Sequence, residues 1–180
     1  RVEHTSDEMR DGNEIVYRDP NFGNQHNLIL GYADNSDGRS HHFTYVKPFN
    51  SIRTTKSAGI TYEDFERHNM LYDAGNEVAY FGQENEFASA FYGMRLDRSS
   101  DNSLHRVLVG YDNSSDRFYD LPTEESPYLL QLPYDRKYQS LWVEYQYEDM
   151  SYIEALNISQ INRTEDINLG AQWRVQIGYV

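Results

Sequence analysis

Hydrophobic and polar positions alternate most strictly at the end of the chain, over residues 166–180. There Ile167, Leu169, Ala171, Trp173, Val175, Ile177 and Tyr179 take every second position, with Asp166, Asn168, Gly170, Gln172, Arg174, Gln176 and Gly178 between them. A helix would scatter these residues around its circumference, whereas a strand puts all the apolar ones on one face. The pattern predicts one strand, longer than the ~5–6 residues usual in soluble sheets and sufficient for the ~9–11 that a tilted strand needs to cross a bilayer. Weaker copies of the same period lie at 58–62, 88–96, 107–111 and 141–147. Their second face repeatedly carries Gly, Ser and ionisable groups, which suits a wet lumen better than the outside of a sandwich. Shorter candidate strands are 14–18, 28–33, 42–46, 77–81 and 151–156.

Clusters rich in Asn, Asp, Ser and Pro separate these segments. They are Asp34-Asn35-Ser36-Asp37-Gly38, Ser99-Ser100-Asp101-Asn102, Asp112-Asn113-Ser114-Ser115-Asp116, and residues 121–136 with three prolines. Such residues favour turns because Asn and Asp tolerate left-handed backbone and Pro presets φ. Residues 63–75 read as one long loop or as a loop containing part of a strand, and that choice sets the direction of every strand before it. The expected architecture is all-β: an antiparallel transmembrane β-barrel segment, a partial barrel of about eight to ten strands, occupying residues 1–180 as one domain.

Composition sharpens this reading. The chain is 14% aromatic, with 16 Tyr against 2 Trp, which suits pleated surfaces. Its formal charge of −13 argues against nucleic acid, because a phosphate backbone is held by clustered Lys and Arg. With no Cys there is no disulfide framework, thiol nucleophile or thiolate metal site. No apolar run is long enough for a membrane-spanning helix. The mean hydropathy of −0.82 would ordinarily indicate a soluble protein, but in a barrel only alternate strand residues meet lipid. Arg1 opens no secretory signal, so the expectation is a mature chain or a piece of a longer one.

The chain carries few candidates for chemistry. It has six His, no G-x-S-x-G elbow and no H-E-x-x-H pair. The doublet His41-His42 sits on a predicted strand, where neighbouring side chains point to opposite faces and cannot easily share a metal. The acidic clusters at 34–38 and 112–116 lack the spacing of an EF-hand loop and read as turns. No residue is therefore expected to be catalytic, to bind a cofactor or to hold a metal, and the protein is not expected to be an enzyme.

Two short motifs carry a family resemblance. Asp19-Pro20-Asn21-Phe22-Gly23, followed by the candidate strand 28–32, resembles the start of the barrel in the bacterial surface-antigen superfamily. That group contains the BamA-like and TamA-like assembly factors and the FhaC-like two-partner secretion transporters. Its next strand closes on a Pro-aromatic turn, for which Lys47-Pro48-Phe49 is the counterpart. Residues 157–170 (NISQINRTEDINLG) are similar to a stretch found in further members. The superfamily's Arg-Gly-aromatic lumen motif has no match here. The resemblance implies a bacterial outer-membrane barrel that inserts proteins into that membrane or moves them across it. The implied partners are outer-membrane lipid, client outer-membrane or secreted polypeptides, and periplasmic POTRA domains in the full-length chain. A self-contained small barrel acting as a lipid-modifying enzyme or pore, and a soluble β-sandwich that binds a ligand, are the alternative readings.

Overall fold

A computed structural model describes residues 2–6, 11–97, 99–100, 102–121, 132–156 and 164–180. It is all-β, as the alternation predicts. The strands are β1 (Val2–Ser6), β2 (Asp11–Phe22), β3 (His26–Asn35), β4 (Gly38–Lys47), β5 (Lys56–Asp73), β6 (Asn76–Arg95), β7 (Ser103–Asp120), β8 (Arg136–Asp149), β9 (Tyr152–Leu156), β10 (Thr164–Asn168) and β11 (Gln172–Tyr179). Nine of them form one antiparallel sheet in the order β1-β2-β3-β4-β5-β6-β7-β8-β11, and β9 and β10 make a separate hairpin. Almost every neighbour in space is a neighbour in sequence, the meander expected of barrel walls.

The sheet is open. Among the described residues β11 pairs only with β8, and β1 pairs only with residues 11–15 of β2. The strands at the two ends of the sheet are not bonded to each other, so these residues do not close into a small ring.

Four sequence expectations need correction. Residues 63–73 are not a loop: they continue β5 and pair with β6 up to the two-residue turn Ala74-Gly75. Both turn residues have positive φ, 49° and 85°, the backbone that lets a two-residue turn follow the twist of a hairpin. Residues 112–116 are not a turn either but the middle of β7, where Asp112 accepts from Ser89 Oγ at 2.6 Å and Asp116 from Asn85 Nδ2 at 2.9 Å. Cross-strand partners satisfy these polar side chains, so turn-prone residues stay extended. The segments 77–81 and 88–96 belong to a single strand, β6. Finally, the run 166–180 is broken into β10 and β11 around residues 169–171; there Asp149 N–H donates to Ala171 O and Leu169 N–H to Ser151 O, both at 2.8 Å, so the ladder resumes as β9 and β10.

The turn after β2 shows why its motif is shaped as it is. Asp19 Oδ1 accepts from the Asn21 N–H and Asn21 Oδ1 from the Gln25 N–H, both at 2.9 Å, while Gly23, Asn24 and Gln25 all adopt positive φ. Asn and Gly take such backbone at little cost. Of the stretch 157–170, residues 157–163 lie outside the described residues.

Candidate functional site: an apolar outer belt and a polar inner wall

Register decides which residues share a face. Ile15 pairs with Tyr32, Tyr32 with His41, Phe43 with Tyr62, Ile60 with Ala90, Ala90 with Tyr111, Tyr111 with Leu141, and Leu141 with Tyr179. All of these side chains stand on one face, which we call outer. It forms a continuous apolar belt, and much of that belt is open: Ile60 is 48%, Leu141 65% and Ile177 74% exposed. Among the described residues only Leu104, Leu108 and Met150 are buried hydrophobics. Among the described residues no second layer covers the belt.

The belt has aromatic margins. Tyr32, Tyr62, Tyr111 and Tyr179 run along one side; Tyr45, Tyr92, Tyr147 and Trp173 run along the other, with Leu30, Ile60, Val109 and Val175 between. Both margins cross the ladder obliquely. Tyr32 is level with Asp64, whereas Tyr111 and Tyr179 are both level with Ile60, so the upper margin descends from β3 to β7 and then runs level to β11. The lower margin descends likewise, from Tyr45, level with Ile60, to Trp173, which lies beyond Lys56 on the same scale. The drift is close to one residue per strand. With ~3.4 Å per residue along a strand and ~4.8 Å between strands, it makes the belt plane inclined to the ladder by roughly 35°.

Directly above the belt the outer face becomes charged. His41 Nδ1 lies 3.0 Å from Asp64, Arg39 Nε 3.1 Å from Glu66, and Arg117 Nη1 3.0 Å from Glu84. Here, outside the belt, burial together with the hydrogen bond it donates to Glu66 pushes the Tyr119 phenol up to about 12. The β5–β6 hairpin continues upward from Tyr62 to Asp73, about 35 Å of strand.

The inner face is different. One register row reads Val46, Gly59, Phe91, Gly110, Trp142, Gly178, so that large side chains alternate with glycines across six strands. A Cβ on Gly110 would meet Trp142 Cζ2 at 2.2 Å, and one on Gly59 would meet Phe91 Cε1 at 2.5 Å. Each ring lies on its neighbour's glycine, so the wall stays thin where aromatics line it. Around this row the face is polar: Arg174 Nε bonds Glu144 at 3.1 Å, and Thr44 Oγ1 lies 3.3 Å from Thr61 Oγ1. Sequence reading saw the glycines and rings separately and missed the row, because adjacency across six strands exists only in the register.

The histidine doublet behaves as alternation requires. His41 meets Asp64 on the outer face and His42 meets Glu63 on the inner face, each at 3.0 Å. His105 lies between Tyr145 and Tyr147. No group of three or more potential metal ligands occurs among the described residues. The cluster 34–38 includes the β3–β4 turn, as expected.

No family model, no curated protein and no solved structure matches the chain.

Proposed function

We propose that this sheet is part of the wall of a transmembrane β-barrel in a bacterial outer membrane, and that the barrel inserts or translocates other polypeptides rather than catalysing a reaction. The observation that carries the membrane part is the oblique, aromatic-edged apolar belt. Outer-membrane barrels present an apolar band with aromatic girdles on strands tilted ~35–45°, and the belt shares the girdles and the inclination. Six residues separate Trp173 from Tyr179 on β11, about 20 Å of strand and roughly 16 Å of height at that inclination. A soluble sandwich would cover this face with a second sheet, and the described residues supply none.

The transport part rests on the resemblance of the 19–23 and 47–49 motifs and on the open edges. Tyr17–Phe22 on one side and β11 on the other each have one neighbouring strand among the described residues, and both edges lie at the level of the belt. In hydrocarbon every unsatisfied backbone group costs several kcal/mol, so such edges require partner strands, from the barrel itself or from a client.

The test is a pair of substitutions on one strand. Val175→Arg, at mid-belt, should destabilise the folded protein in lipid vesicles by roughly 2–4 kcal/mol, whereas Gln176→Arg, on the inner face beside Glu144, should be nearly neutral. Urea unfolding followed by tryptophan fluorescence reads both. Equal cost at the two positions would refute the lipid-facing assignment.

A further inference from the structure

Resting on the membrane reading, we infer that the lower rim of the belt carries a binding site for the phosphate of an anionic glycerophospholipid, built from Lys47, Arg53 and Lys56. The chain has a formal charge of −13 and only three lysines, yet two of them and an arginine fall within residues 47–56, which contain no acidic residue. They line one shallow cavity of about 290 Å³ together with Gln25, Ser51, Thr54 and Thr55, and no acidic residue lines it. None of the three cations has an ion-pair partner among the described residues, although other arginines of the sheet, including Arg39, Arg117 and Arg174, do. In an acidic protein, three unpaired cations converging on one cavity are a charge pattern waiting for an anion.

The position selects the kind of anion. Lys47 follows Tyr45 by two residues on β4, and Lys56 precedes Ala58 by two on β5, so both stand on the outer face one row below the belt. Tyr45 closes the belt there, stacked on His26 at 5.2 Å and edge-on to Phe22 at 6.3 Å. A phosphate held by the two ammonium groups would leave its acyl chains free to lie upward along Ala58 and the exposed Ile60. Long cationic side chains at the edge of an apolar band reach toward headgroups in this way.

The loop that completes the site is anchored. Arg95 Nη1 donates to Ile52 O at 2.7 Å, Asn50 Nδ2 to Gln25 O at 3.2 Å, and Ser57 Oγ to Lys47 O at 2.8 Å. Phe49 turns to the inner face, where the Arg106 guanidinium sits 4.7 Å above its ring. The aromatic residue points in and the cations remain outside.

The experiment uses the full-length protein in detergent, with native mass spectrometry recording retained lipid. Dimyristoyl phosphatidylglycerol should be held in preference to dimyristoyl phosphatidylcholine. Lys47→Gln with Lys56→Gln should weaken retention about thirtyfold, Lys47→Arg with Lys56→Arg should restore it, and Arg117→Gln should change nothing. Equal retention of the two lipids, or undiminished retention by the double Gln variant, would overturn the site. Displacement by equimolar inorganic phosphate would overturn the lipid as its source. Quenching of Trp173 by brominated lipid in a Trp142→Phe background separates the two levels: quenching without phosphatidylglycerol preference sinks this site alone, and absence of quenching sinks the membrane reading beneath it.

Discussion

The lower and upper halves of the β5–β6 hairpin share one ladder, shifted in register only at Leu71–Tyr72 near its tip, but present different surfaces. Below Tyr62 the outer side chains are Ala58, Ile60, Ala90 and Tyr92; above it they are Asp64, Glu66, Glu84 and Glu86. From Lys56 to Leu71 the backbone pairing is regular on both sides of Tyr62, so hydrogen bonding does not distinguish the two surfaces. The solvent each half requires does. The lower half places apolar side chains where only lipid or another apolar surface could satisfy them, and the upper half is built to stand in water. A strand can thus leave the apolar zone without ending, and the boundary is a change of side chains across two residues.

Substitutions can probe that boundary. The largest effect is expected at Ile60→Arg, in the lower half: about 2–4 kcal/mol of destabilisation in vesicles if it lies near mid-bilayer. The same change at Glu66, four residues above Tyr62, should cost less, chiefly the loss of its contacts with Arg39 and Tyr119, and equal losses in urea titrations would erase the distinction between the halves. A smaller effect is expected at Gly110→Val, on the inner row level with the lower half. The added side chain must displace Trp142, whose ring lies 2.2 Å from where a Cβ would be, and overpacking of this kind costs about 1–3 kcal/mol. Trp142→Ala should relieve part of that loss in the double variant, a coupling measurable by a double-mutant cycle. The smallest effect is expected in the upper half at Arg117→Gln. Its pair with Glu84 is exposed on both sides, 68% and 43%, and screened by water, so the change should be below about 0.5 kcal/mol and shrink further in salt.

The alternation in 141–147 and 172–179 was legible because each segment keeps one face apolar throughout, and a period of two has no other structural meaning. The upper hairpin was not legible for the complementary reason. Residues 63–73 carry Glu, Asp, Arg, His and Asn on both faces, so no periodic signal survives, and the strand exists because β6 is there to pair with it. The acidic run 112–116 misled for the same cause: Asp, Asn and Ser favour turns only while their side chains bond their own backbone, and here Ser89, Asn85 and Arg136 hold Asp112 and Asp116 instead. The Lys47, Arg53 and Lys56 cavity was not legible, because sequence does not say that both lysines stand on the belt's own face.

By itself, then, the sequence determined that the chain is all-β, that its strands have one apolar and one polar face, and that no thiol chemistry is available to it. Those properties are local, set by side-chain period and composition. Tertiary structure alone decided the rest. Register turned separate apolar positions into one oblique belt with aromatic margins, ranked rings over glycines on the inner wall, and, among the described residues, left two sheet edges with a single neighbour each. The reason is that a strand's side chains alternate regardless of its partner, while what lies beside each of them depends on a pairing offset that no single strand encodes.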